Sequence, residues 1–517
     1  MRLLPSIATV GGLTMVSRVF GFIRDILVAV LLGAGPVTDA FFVAFKFPNL
    51  FRRLFAEGAF SAAFVPIYAG LLESEGREQA RAFAEQVLSV LLWSLLALVI
   101  VMQMAMPFAM VVFAPGFVDT PERFDLTVLF ARITFPYLLF VSLVSLMAGV
   151  LNSIGRFAAA AATPILLNLC LITAVLGLAP LMPTPGHALA WGVAAAGVVQ
   201  FVWMLVHCGR AGIWLRLPRP RLTPRVTLLL KRALPVAVGA GICQVNLLID
   251  TVIASLLPAG SVSFLFYADR VNQLPLGVVG VAVGTALLPM LARHVRAGRE
   301  EQALTSQNRA VEFALLLTVP AGAALMIIAG PVVSVLFERG AFGPAEASAT
   351  AAALAVYATG LPAYVLIKAL APGLFAREDT STPVRVSVVT MVINLVLNLL
   401  LMGPFLHVGI AMATAISSWL NAGTLAVILW RRGHLVADSR LRRRLPRTLA
   451  ASGGMVGVLF FAERVLADWF MAGQMERIGA LVALVTAGLV AFAALAMLFG
   501  AARPADMRGL MRRDNPA

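Results

Sequence analysis

FKFPNLFRRLFAEGAF (residues 45–60) lies between DAFFVA and SAAFVPIYAGLL, in a region apolar enough to sit in a bilayer. Yet Lys46, Arg52, Arg53 and Glu57 fall inside it. Composition decides which solvent surrounds these charges. The 517-residue chain is 60% hydrophobic and 13% charged, whereas a soluble domain is about 45–50% apolar and about 25% charged. So little polar surface cannot cover a water-soluble globule, and the chain reads as an all-α polytopic membrane protein.

A crossing helix needs about 20 apolar residues, and that rule places about fourteen helices. They fall near 8–33, 38–70, 84–113, 127–152, 157–181, 187–208, 227–257, 261–291, 308–337, 347–375, 383–403, 407–431, 447–466 and 477–500. Their loops alternate in charge. One set holds Arg77 and Arg81, Arg156, the run Arg210 to Arg225, Arg293 to Arg299, Arg377 and Arg385, and the run Arg431 to Arg447. The other set holds only Arg123, Arg339, Arg464 and Arg477. Cytoplasmic loops concentrate cations, so both termini are expected in the cytoplasm. The N-terminal MRLLPSIATV lacks a small-residue cleavage site and is expected to be retained.

The same rule accounts for the net charge of +15. No soluble basic domain points to nucleic acid. Cys170, Cys208 and Cys243 are far apart, and the five histidines are scattered. No P-loop, GxSxG or metal-spaced histidine pattern supports a membrane transferase. Such an enzyme would have to use dispersed acids such as Asp119, Glu122, Asp125 or Glu378-Asp379.

RDILVAVLLGAGPVT (24–38) is similar to IDTVIASLLPAGSVS (249–263), matching Asp25 with Asp250 and Ala34-Gly35 with Ala259-Gly260. Further on, Asn49 pairs with Asn272, Pro66 with Pro289, Pro136 with Pro362 and Asn168 with Asn394. Copies running in the same sense predict two six-helix lobes: an N-lobe over 1–220 and a C-lobe over 221–440. A helix pair with a cytoplasmic tail fills 441–517. Two-lobed repeats are a transporter signature, with the substrate site at the lobe interface.

The charges concentrate on few helices. Thr14, Arg18 and Asp25 share one face of the first, beside Arg24. Asp39, Lys46, Arg53 and Glu57 stripe the second, with Asn49 on the stripe and Arg52 beside it. Asp269 and Arg270 lie on the eighth. An arginine at a helix centre costs about 2.5–3.5 kcal/mol to insert, so such groups pair internally or face a watery cavity. Two readings stay open: a buried ion-pair network that fixes the helices, or a cationic cavity for an anionic substrate, where Arg forks suit phosphate oxygens.

SRVFGFIRD, GAGPVTDAFFVAFKFPNLFRRLFAEGAFSAAFVPI, APGF, FYADR and GVVGVAVGTALLP resemble the MurJ (MviN) lipid II flippases of the multidrug/oligosaccharidyl-lipid/polysaccharide exporter superfamily. The resemblance spans essentially the whole chain and is looser after about residue 430. It implies a transporter, not an enzyme. The substrate would be lipid II, an undecaprenyl diphosphate carrying a disaccharide-pentapeptide, moved from the cytoplasmic to the periplasmic leaflet for cell-wall synthesis by alternating access through a cationic central cavity. It implies that Arg24, Arg52 and Arg270 hold the diphosphate. Arg18, Asp25, Asp39, Arg53, Glu57 and Asp269 would serve gating or line the cavity. No organic cofactor is implied. Some relatives bind sodium, and Asp250, Asn394, Asn398 and Thr414 fall at the matching places, although Asn398 stands where a carboxylate is expected. The same residues read equally as a polar helix contact. Export of another polyprenyl-diphosphate-linked glycan is the alternative transport reading.

Overall fold

The computed structural model describes residues 3–52 and 60–502, so Arg53 and Glu57 of the opening stretch lie outside the described residues. Every regular element among the described residues is a helix. In order they are α1 (Leu3–Leu32), α2 (Pro36–Phe51), α3 (Phe60–Ser74), α4 (Gly76–Phe113), α5 (Pro121–Thr134), α6 (Tyr137–Ser153), α7 (Ala158–Gly177), α8 (Pro185–Arg210) and α9 (Pro224–Ser255). There follow α10 (Ser261–Arg296), α11 (Glu300–Ile327), α12 (Ala329–Phe337), α13 (Pro344–Phe375), α14 (Ser381–Arg431), α15 (Ser439–Val465), α16 (Ala467–Met471) and α17 (Gln474–Leu498). Among the described residues, nine segments have the length and apolarity to cross a membrane. The fold is that of an all-helical polytopic membrane protein.

Several expected helices prove to be broken or longer. The helix expected over 127–152 starts at Pro121 and is interrupted between Thr134 and Tyr137, where Pro136 withholds a backbone donor. That over 308–337 starts at Glu300 and breaks at Ile328. The basic run assigned to a loop before residue 447 is helical from Ser439, because Asp438 caps α15 by accepting from the Leu441 N–H at 2.7 Å. The two helices expected over 383–403 and 407–431 are the arms of α14, hinged at Leu406 with φ 50° and ψ −132°. A Cβ on Gly409 would fall 2.3 Å from the Leu401 carbonyl oxygen, so only glycine lets the arms approach this closely.

The chain forms two compact units. One runs through Ser263 and takes in Arg339–Phe342; the other holds the remainder from Phe264 onward. The first has a core that includes Phe64, Phe83, Met147 and Met204. The second has one that includes Leu287, Leu370, Leu374 and Leu429. Lipid tails are as apolar as these side chains, so close packing over small residues carries helix association in a bilayer. A Cβ on Gly186 would meet Phe130 and Val37 at 2.7 Å, and one on Gly454 would meet Leu495 at 2.7 Å.

Candidate functional site

The charged residues of α1 fall into two environments. Arg18 is exposed. Arg24 is 8% exposed and Asp25 3%. The Arg24 guanidinium donates to Asp25 Oδ1 from Nε at 3.0 Å and from Nη2 at 2.7 Å. Its Nη1 donates to Asn168 Oδ1 at 2.9 Å. Asn168 on α7 also donates to the Ser17 carbonyl at 2.9 Å, which ties α7 to α1 twice. Gly21 makes room for this, since a Cβ there would sit 3.4 Å from Asn168 Nδ2.

Asp39 is fully buried at the start of α2. Arg123 Nη2 donates to its Oδ2 at 2.6 Å, as does the Gly260 N–H at 2.7 Å. Its Oδ1 accepts from the Ser263 N–H at 2.8 Å and the Ser263 hydroxyl at 2.6 Å. Arg123 lies 3.6 Å over the Phe117 ring centroid and is only 5% exposed. It is therefore a buried counter-ion on α5, although its position in the sequence reads as a loop cation. The pair is 84 residues apart in the chain, and only the pairing of an intramembrane acid with some cation was foreseeable.

Further along α2, Lys46 Nζ donates to Thr251 Oγ1 of α9 at 2.9 Å. Asn49 donates to the Phe45 carbonyl at 2.9 Å and accepts from Arg52 Nε at 3.0 Å. In the second unit, Arg270 and Asp269 are half-buried on α10. The Arg270 guanidinium lies 4.8 Å from the Phe266 ring centroid, and Asp269 accepts from Gln273.

Asp250 is half-buried on α9 in the first unit. The neutral residues matched to a sodium site lie between the arms of α14. Asn398 Nδ2 donates to Asn394 Oδ1 at 3.0 Å, and Asn394 Nδ2 to Ser417 Oγ at 3.3 Å. The Thr414 hydroxyl donates to the Ile410 carbonyl at 2.9 Å. Of these bonds, Asn394 to Ser417 crosses between the arms, while the other two stay within one arm.

Two clusters in the second unit were not foreseen as clusters. Glu312 on α11 accepts from Arg444 Nη1 at 2.6 Å, Arg440 Nε at 3.2 Å and Arg309. Arg309 also pairs with Asp438. The cluster staples α15 to α11. Asp379, one of the dispersed acids considered for an enzyme, caps α14 instead. It accepts from the Thr382 N–H at 2.9 Å, the Thr382 hydroxyl at 2.6 Å and Arg432 Nη1 at 2.6 Å. The Thr382 hydroxyl, then Arg432, holds its carboxyl below the usual range.

Helical spans, polar residues braced within them, and two compact units define a polytopic membrane transporter. Among solved structures, the fold is similar to a lipid II flippase MurJ in an inward closed conformation. The TM-score is 0.77 at 22% identity, covering 97% of this chain and 99% of the other. It is also similar to an inward-facing multidrug resistance MATE family transporter of the MOP superfamily, with a TM-score of 0.64 at 14% identity over 84% of this chain and 99% of the other.

The chain belongs to the lipid II flippase MurJ family, whose family model matches residues 28–495. It is 47% identical to a "probable lipid II flippase MurJ" of Rhizobium meliloti, over 99% of this chain and 97% of the relative. It is 45% identical to that of Rhizobium tropici over 100% and 98%, and 36% identical to the lipid II flippase MurJ of Burkholderia cenocepacia over 96% of each.

Proposed function

We propose that the protein is a lipid II flippase that carries its substrate from the cytoplasmic to the periplasmic leaflet of a bacterial inner membrane by alternating access. The observation that carries this reading is family membership over nearly the full chain. Both termini lie in the cytoplasm on this reading. That agrees with fourteen spans if α2 pairs with α3, α5 with α6, α11 with α12 and α15 with α16, while α14 contributes two.

Arg52 and Arg270 are assigned to the diphosphate. Both are half-buried arginines on polar stretches of α2 and α10, and a guanidinium fork matches phosphate oxygens in two places. Arg24 is assigned to positioning, because Asp25 and Asn168 engage three of its nitrogens and fix α1 on α7. Asp39 with Arg123 braces the start of α2.

The test is complementation in cells depleted of their own flippase, read as lipid II exposed on the outer leaflet. The full chain restores exposure. Arg52→Ala and Arg270→Ala abolish it while the protein stays abundant in the membrane. Exposure that persists without any flippase overturns the function, and wild-type exposure with both variants overturns the assignment.

A further inference from the structure

The segment joining α8 to α9, AGIWLRLPRPRLT (211–223), is neither helix nor strand. It is nevertheless held in place. The Arg216 N–H donates to Glu85 Oε1 of α4 at 2.9 Å, and the Pro218 carbonyl accepts from the Ser89 hydroxyl. Ile213 and Leu215 pack against the first unit's core. Extended chain alternates its sides, so Trp214 and Arg216 point away from that core. Trp214 is 66% exposed, Leu217 52% and Leu222 69%.

The outward side is also strongly cationic. Among the described residues, Arg210, Arg216, Arg219 and Arg221 have no ion-pair partner. Glu85 is already taken by Arg81 at 2.8 Å, and Glu75 by Arg225 at 2.8 Å. A cavity of about 330 Å³ opens beside the start of the segment, walled by Thr9, Leu151, Arg156 and His207. Arg156 Nη1 reaches the Arg210 carbonyl at 3.3 Å, which joins the cavity to the basic run. The segment starts where the spanning helix α8 ends, hence at the boundary between hydrocarbon and water. Trp is favoured at that depth, and clustered arginines there attract anionic headgroups.

We propose that residues 210–222 form a membrane-surface anchor that recruits anionic phospholipid. Trp214, Leu217 and Leu222 enter the interfacial layer. Arg216, Arg219 and Arg221 bind headgroup phosphates, and Arg156 with His207 accepts a headgroup in the cavity. The site is separate from the residues assigned to the transported diphosphate, and it holds a resident lipid of the bilayer.

The full chain in nanodiscs tests this. The chain has seven tryptophans, and the Trp214 signal is isolated by subtracting the emission of Trp214→Phe. Lipids brominated near the headgroup serve as quenchers. Brominated phosphatidylglycerol is expected to quench Trp214 more strongly than brominated phosphatidylcholine at equal content, and added salt is expected to erase the difference. Replacing Arg216, Arg219 and Arg221 together with Gln brings the two lipids to equal quenching, since each charge near an anionic surface is worth about fivefold. Equal quenching by the two lipids overturns the proposal. So does Trp214 emission that neither lipid quenches, which would turn the segment toward an acidic soluble partner. Both readings use the unmutated arginines, so a variant that fails to fold leaves the test intact.

Discussion

Asp39→Asn keeps the shape of the side chain and removes its charge, and its cost can be worked out donor by donor. The carboxylate receives two hydrogen bonds on each oxygen. An amide offers one acceptor oxygen, so its nitrogen must face one pair of donors. Facing Arg123 and Gly260 would set N–H against N–H twice. Facing Ser263 is better, because the hydroxyl can rotate and accept. The Ser263 N–H is then left buried without a partner, which costs about 1–3 kcal/mol. Arg123 keeps a neutral hydrogen bond and loses its counter-charge at 5% exposure. Breaking a buried pair from one side costs about 3–5 kcal/mol, a figure that already includes stranded groups, and we expect the whole effect in that range. The assay is a double-mutant cycle of Asp39→Asn, Arg123→Met and the double variant, read by SDS-driven unfolding of the full chain in mixed micelles. The double variant removes the stranded cation, so it should be less destabilised than the sum of the singles by at least about 1 kcal/mol. Single costs that add within about 0.5 kcal/mol would refute the reasoning, because they would mean the two residues do not sense each other.

Gly33→Ala should loosen the contact between α1 and the 339–342 turn. Gly33 has φ 67°, and a Cβ would lie 2.3 Å from the Ala341 carbonyl oxygen. The left-handed conformation alone costs an L-residue about 1–2 kcal/mol. The Ala341 amide, bonded to the Val30 carbonyl at 2.8 Å, should exchange its hydrogen faster; the Gly35→Ala control, with nothing within 4 Å, should leave it unchanged. Glu312→Gln removes the buried carboxylate that Arg444 pairs with and should cost up to about 3–5 kcal/mol, with little from Arg440, which is 41% exposed in its side chain. Faster exchange over the first turns of α15 relative to α17 is the readout. Asp379 has a depressed carboxyl pKa, so its cap is fully present above the ordinary value of 3.8 and is lost as pH falls below it, through the folded value. The Thr382 amide should therefore stay protected at mildly acidic pH and open only in strong acid.

Hydropathy made the membrane legible because a spanning helix must be apolar for its whole length. It did not mark where helices bend. Pro136 and Pro404 were visible in the sequence, yet proline is tolerated within spans when neighbouring groups satisfy the freed carbonyls. The Leu406 hinge depends on Gly409 meeting Leu401, a tertiary contact. The charge partners were not legible. Asp25 shares a helix face with Arg18 yet pairs with the adjacent Arg24, whose other partner, Asn168, lies 144 residues away. Arg440 and Arg444 looked like loop cations because three adjacent arginines raise local polarity. Glu312, on α11, supplies the charge that lets them sit in a helix against it.

These pairings change what an intramembrane arginine signifies here. Insertion cost alone makes every such residue a functional candidate. Arg24 and Arg123 have carboxylate partners within 2.7 Å, and each joins helices far apart in sequence. A diphosphate approaching Arg24 would have to displace Asp25 or Asn168 and release α7 from α1. Transport would then be coupled to breaking the brace. Arg52 contacts Asn49, and Arg270 the Phe266 ring, each about one turn back on the same helix. Exchanging those two contacts for phosphate leaves the Arg24 bonds to Asp25 and Asn168 and the Asp39–Arg123 pair in place. On the proposed function, Arg52 and Arg270 stay assigned to the phosphate, while Arg24 holds α1 on α7.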